Sequence, residues 1–259
     1  TEGKAAFAPH ILIVAEANSK VTYVDHVFMN GTADEPLVHN GMIEVFAKPG
    51  AKVQVASVHN LPEKVIDVSY RRALLDQDAG VEWIIGEMND GNTVSDTTSL
   101  LKGNGSTSDA KVVCIGNKNQ KLNLTTTAKH FGLHSDSQMI TRAVMLDEAN
   151  AIINGITKIE HGATNANGEQ TERILMLSPR ARGDANPMLL IDEDEVTAGH
   201  AASVGQVDEL QIFYLTSRGI SREMAEKLIV YGFLEPVVSR VPIKAVAEQL
   251  KTIIERKLK

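Results

Sequence analysis

PGAKVQVA, residues 49–56, sets a short turn of small and polar residues against an apolar β run. The same outline recurs on both sides of it. ANSKVTYV (17–24) precedes it, and DAGVEWII (78–85), SDAKVVCI (108–115) and SDSQMITR (135–142) follow. Aligned on Val21, Val53, Val81, Val112 and Met139, the steps are 32, 28, 31 and 27 residues. Repeats of that length mark coils stacked along an axis, each burying its apolar face on the next. Parallel β-helices do this with several short strands per coil. A β-sandwich also gives short strands with turn signals, but the repeated step favours the β-helix.

The rest of residues 1–206 has the same texture: Val/Ile/Leu/Thr runs broken by Gly, Asn, Asp and Ser. In KLNLTTTAKH (121–130), Leu122 and Leu124 alternate with Asn123 and Thr125, as a strand period of two requires. No helical pattern interrupts the runs, which disfavours a doubly wound α/β fold. The expected fold is mainly β, a parallel β-helix core over 1–206 with a helical tail over 207–259. In the tail, Asp208 suits a helix N-cap, with Leu210, Phe213, Tyr214 and Ser217 on one face. Gly219 fits a position just past a helix end, and Ser221 suits the next N-cap. Leu228, Ile229, Gly232 and Phe233 continue that second helix, which Pro236 should kink or end. A third opens near Pro242, with Val246, Leu250, Ile253 and Ile254 as its apolar stripe. So short a tail should pack on the β core or on a partner.

Composition narrows the function. The 259 residues are 43% apolar and 23% charged, as in an ordinary soluble protein. No apolar run approaches the ~18 residues of a membrane span. The start lacks the basic segment of a signal peptide, although the first residue is Thr1 rather than Met. A single cysteine, Cys114, excludes an internal disulfide and suits a reducing, cytoplasmic setting. The net charge of −7 and the low aromatic content argue against nucleic acid, which wants a basic face or stacking platforms.

Few residues invite chemistry. His200 sits in Gly199-His200-Ala201-Ala202-Ser203, read as a loop whose small side chains leave the ring accessible. Imidazole can bind iron or move a proton near neutral pH; read alone, the residue is more simply a hydrogen-bonded turn histidine. Cys114, within VVCIG, reads as a small buried hydrophobe, with sulfur transfer as the alternative. His130 and His134 have metal-like i, i+4 spacing, but Gly132 and their flanks place them at surface or turn positions, as for Glu160-His161. Asp192-Glu193-Asp194-Glu195 reads as a solvated turn. Glu35, Glu44, Asp67 and Glu87 cannot be paired from sequence, so no acid/base dyad can be argued. GNGSTSD (103–109) lacks the lysine of a phosphate loop, so ATP hydrolysis by this chain is not expected.

The stretch from Gly199 to Phe233 resembles the end of the SufB/SufD family of iron–sulfur cluster assembly proteins. His200, Ala202, Ser203, Asp208, Phe213, Tyr214, Arg218, Gly219, Ile220, Ala225 and Phe233 fall on the family's positions. Ala201 stands where the SufB branch has Glu, and Cys114 lies 86 residues before His200, too far to match that branch's cysteine. The chain therefore resembles the SufD branch. The resemblance implies a parallel β-helix core and a partner subunit with no catalytic site of its own. It implies pairing with SufB near His200, and docking of the SufC ATPase on the tail through Phe213, Tyr214, Arg218 and Gly219. His200 becomes the candidate for iron or cluster assembly, as a metal ligand shared with SufB. Iron or a cluster would be held transiently at that interface and not stably, since a lone chain has too few thiolates. A homodimer of the isolated chain stays open. Family members usually carry a helical region before the core, which is not seen in this sequence. The rival reading, a β-helix polysaccharide lyase or hydrolase, is disfavoured by the absent secretion signal, the few aromatics and the helical tail.

Overall fold

The structure, a computed structural model, describes residues 6–258 apart from Thr32 and Asp34. Its strands are β1 (Ala6–Phe7), β2 (His10–Ala15), β3 (Lys20–Phe28), β4 (Leu37–Ala47), β5 (Lys52–Asn60), β6 (Val65–Leu75), β7 (Gly80–Glu87), β8 (Thr93–Leu101), β9 (Thr107–Gly116), β10 (Lys121–His130), β11 (Asp136–Met145), β12 (Asn150–Ile159), β13 (Asn167–Met176), β14 (Arg182–Ile191) and β15 (Thr197–Gln206). Three helices follow: α1 (Glu209–Thr216), α2 (Arg222–Val238) and α3 (Lys244–Lys257).

From β2 onward, successive strands alternate between two sheets. One runs β1-β4-β6-β8-β10-β12-β14, with β2 also on β4; the other runs β3-β5-β7-β9-β11-β13-β15. Every pairing is parallel. This is a parallel β-solenoid of about seven coils, the fold expected from the repeat. The facing sides of the sheets hold one apolar core, with Val53, Val55, Leu75, Trp83, Leu101, Leu122, Met145 and Ile153 inside it.

The register corrects part of the sequence alignment. Val21 pairs with Val53 and Val53 with Val81, as aligned. Val81, however, pairs with Ser108 rather than Val112, and Met139 pairs with Ala110. The two slips are of four and two residues. Even slips keep the same face inward, so a period of two cannot detect them. β9 begins with polar Thr107-Ser108-Asp109, which hides its true start.

One corner of each coil is set by a residue with positive φ: Asn18, Gly50, Asp78, Gly105, His134 and Asn165. Glycine, Asn and Asp tolerate this region best. Each donates its N–H to a carbonyl of the next coil, from Asn18 to Pro49 through Asn165 to Glu195, at 2.6 to 3.0 Å. His134, with φ 53°, is thus a corner residue.

Helices α2 and α3 cover the outer face of the odd-numbered sheet. Ala56, Val58, Ile84, Met88, Val113, Ile115 and Val144 form one apolar cluster with Val230, Leu234, Val237, Leu250, Ile253 and Ile254. That explains why β5, β7 and β9 are buried on both faces. At the end of α3, Lys257 Nζ donates to Asn89 O (2.6 Å) and pairs with Asp90 (2.9 Å), tying the helix to a coil corner. Asp208 and Ser221 cap α1 and α2 as expected, and the α3 stripe is as read. The spacing leaves open which faces of α1 and α2 are buried. In α1 the buried residue is Ile212, and Leu210, Phe213 and Tyr214 face outward. In α2 the inward face is Ala225, Val230, Leu234 and Val237, and the helix runs two residues past exposed Pro236. Helical spacing identifies a stripe but not which stripe meets the protein. No helix among the described residues is long and apolar enough to cross a membrane.

Leu234→Ala should cost about 2–5 kcal/mol in urea unfolding, the range for emptying a well-packed leucine site. Leu228→Ala, on the exposed side of α2, should change stability by no more than about 0.5 kcal/mol. Equal losses would refute this packing of the helix.

Candidate functional site

The last coil is where the sequence placed most of its weight. His200 lies within strand β15, not in a loop as expected. Gly199, Ala201, Ala202 and Ser203 are poor strand formers, which hid the strand; its pairing with β13 imposes it. His200 is in register with Gln170, and Ala202 with Glu172. Gln170 and Glu172 are buried and alternate with more exposed neighbours, so they face the space between the sheets. In a parallel ladder, in-register residues share a face. His200 therefore faces the same interior, and is exposed because no further strand pairs with β15 among the described residues.

One coil beneath it lies a carboxyl that sequence reading missed. Glu172 is 2% exposed, and neither of its carboxyl oxygens has a hydrogen-bond partner. The Gln170 amide donates to Met188 O (3.2 Å), but its own oxygen is also unpartnered. Both oxygens crowd Gly155: a Cβ there would sit 2.0 Å from Glu172 Oε1 and 2.7 Å from Gln170 Oε1. Burial pushes the Glu172 carboxyl up to about 7. Near neutral pH it can hold or release a proton beneath His200.

The other candidates resolve plainly. Cys114 is fully buried in β9, and burial, reinforced by Glu87, pushes its thiol up to about 12, so it carries no thiolate at neutral pH. His130 is not at the surface. It is buried, with Nδ1 2.8 Å from Ser135 Oγ and Nε2 2.8 Å from Ser137 Oγ, and burial pulls it down to about 4. His161 is exposed beside Glu193. Glu193 accepts from the Gly162 N–H (2.8 Å), so the acidic run is a surface turn between β14 and β15, as read. On α1, Phe213 is 70% and Tyr214 56% exposed, and neither packs on the solenoid. The Arg218 guanidinium lies 3.5 Å from the centre of the Tyr214 ring, and Gly219, at φ 85°, turns the chain towards α2.

A second polar cluster lies inside the first coils. Asp67 on β6 is fully buried between two histidines, 2.7 Å from His39 Nδ1 on β4 and 2.6 Å from His59 Nδ1 on β5. Ser69 and Asn89 each donate to the same carboxylate at 2.8 Å. Burial would push Asp67 up, but the hydrogen bonds from His39 and His59 hold it well below the usual carboxylate range. Burial would lower His59, but Glu87 and the bonds to Asp25 and Asp67 outweigh it and hold the ring at about 9. Arg71 donates to Glu87 Oε1 (3.2 Å) and Ser95 (2.8 Å). Asp67 and Glu87, unpaired in the sequence, are thus neighbours of one histidine. The signal was present, since His39 to Asp67 and His59 to Glu87 are each one 28-residue coil step. Glu44, by contrast, meets exposed His10 at 2.7 Å.

The Glu172 site predicts a pH dependence. The free acid ionises near 4.5 in the unfolded chain, and near 7 when folded. Stability should therefore fall as pH rises between these values, by roughly 3 kcal/mol at most. Glu172→Gln should remove this fall, so the variant gains on the parent at pH 8 relative to pH 5. Urea midpoints that move in parallel at the two pH values would refute it.

Comparison with known proteins gives a consistent family. The domain described as "SUF system FeS cluster assembly, SufBD core domain" matches residues 1–233. The chain is 50% identical to the iron–sulfur cluster assembly protein SufD of Bacillus subtilis, over 96% of this chain and 57% of that protein. A SufBD family protein of Pyrococcus horikoshii is 32% identical, over 98% of this chain and 56% of its own length. Bacillus subtilis SufB is 25% identical, over 93% and 52%. The chain spans about half the length of these relatives. It belongs to the SufB/SufD core family of the SUF iron–sulfur cluster assembly system, on the SufD side.

Proposed function

We propose that the chain acts in iron–sulfur cluster assembly as a SufD-type subunit that pairs with SufB through its last coil and docks the SufC ATPase on its helices. The observation that carries this is His200 facing inward at an uncovered solenoid end. There its imidazole can ligate iron or a nascent cluster shared with the partner. The cluster is cargo: one inward imidazole and one unpartnered carboxyl, Glu172, are too few ligands to retain it without SufB. The unpaired edge of β15 offers backbone groups to a partner strand. Phe213 and Tyr214, exposed on α1, suit aromatic anchors for SufC, with Arg218 stacked on Tyr214 to hold the ring. SufC would supply the nucleotide-driven motion, since this chain has no phosphate loop.

His200→Ala should leave stability within about 1 kcal/mol, because the ring is exposed. It should nevertheless fail to restore growth of a strain that depends on the SUF system, while still forming the complex in gel filtration. Full growth with an assembled His200→Ala complex would overturn its role.

Phe213→Ala or Tyr214→Ala should weaken SufC capture by about 1–4 kcal/mol without lowering Tm, as for an exposed interface anchor. Unchanged capture after deleting residues 207–259 would remove the helices from the SufC reading.

A further inference from the structure

We propose that His39, His59, Asp67 and Glu87 form a binding site for a divalent transition-metal ion, resident inside the first coils and separate from the last-coil site. Two imidazoles and two carboxylates are a donor set suited to Zn2+ and similar ions. The nitrogens of His39 and His59 and an oxygen of Asp67 lie within 4.8 Å of one another, all buried. Asp67 stands 2.7 and 2.6 Å from the two Nδ1 atoms, and Glu87 Oε2 stands 3.9 Å from His59 Nδ1. Ligand atoms on a tetrahedral ion with bonds of about 2.0–2.1 Å are about 3.3 Å apart. The observed separations bracket that value, so an ion requires only small shifts. It would take the place of the protons that the imidazoles share with Asp67.

Two further observations point to a missing ligand rather than a closed structural network. Glu87 Oε2 is fully buried and has no hydrogen-bond partner. Orphaned buried acceptors are rare in native proteins and call for an explanation. Charge agrees as well. Asp25, Asp67 and Glu87 are three carboxylates around the His59 ring, and Arg71 is paired with Glu87; with the ion in place of the imidazole protons, a dication and the guanidinium balance the three negative charges. A cleft of about one water's volume, lined by Ile11, Met42 and Tyr70, reaches His39 and His59 from the surface. The ligands come from β4, β5, β6 and β7, so the ion would lock both sheets together in these coils.

The test uses the full chain, stripped with a chelator and titrated with Co2+ and then Zn2+. One equivalent of Co2+ should bind with the intense visible bands of a tetrahedral site, Zn2+ should displace it, and Tm should rise with free ion. His59→Gln and Asp67→Asn should weaken Co2+ binding at least tenfold. Zinc-edge X-ray absorption on the unmodified chain needs no variant to fold, and should show imidazole and oxygen neighbours without sulfur. Absence of a stoichiometric equivalent, an all-oxygen shell, a sulfur neighbour pointing to Cys114, or unchanged affinity in folded variants would each overturn the site.

Discussion

Everything in this molecule depends on the in-register stacking of one coil on the next. A parallel ladder fixes the neighbour of each residue as the one a coil later, whatever its side chain prefers. Corner residues enforce it. The backbone N–H groups from Asn18 to Asn165, held at positive φ, each bond to the following coil. A single chain can then carry columns of like residues: apolar in the core, polar where a site is built. Even His200, in a stretch with little strand propensity, is held in a strand because Gln170 lies beside it.

That constraint decides what the sequence could reveal. The coil architecture was legible because Val21, Val53 and Val81 sit at their true register. The family was legible from the spacings between His200 and Phe233. The buried cluster was not, although its members are separated by the same 28 residues. His39, His59, Asp67 and Glu87 look like unrelated polar residues until the coil step is applied to them rather than to the valines. Glu172 escaped for a similar reason. Only the placing of β13 opposite β12 across the interior, with Gly155 leaving room, turns a strand glutamate into a buried acid. In α1 periodicity gave the stripe of Phe213 and Tyr214 but not which stripe is buried, and it is Ile212 that is buried.

The interior polar groups are costly for a solenoid. Burying an unpaired carboxyl costs several kcal/mol, or raises its pKa until it is neutral. The two carboxyl sites meet this cost differently. Asp67 collects four donors and stays ionised. Glu172 collects none and shifts towards neutrality instead. A fold needing only packing would place an aliphatic side chain at both positions, as it does at Ile153 and Leu124. Retaining carboxyls at two separate depths of the coil stack is therefore a departure from what the core alone requires.

The middle and the β15 end of the odd-numbered sheet are treated differently, and this bears on assembly. Over β5 to β11 its outer face is sealed by α2 and α3. Among the described residues nothing comparable covers β15, and the strand keeps an unpaired edge with Val204 exposed on it. Open strand edges invite adventitious pairing, so proteins blunt them with charge, proline or a covering element. β15 reads Thr-Ala-Gly-His-Ala-Ala-Ser-Val-Gly-Gln, with none of these devices except one imidazole. An edge so lightly defended suits a surface that is covered in use, by a partner whose own strand end can extend the ladder. On the proposed reading, the coil step that builds the core also builds the interface, and His200 belongs to both.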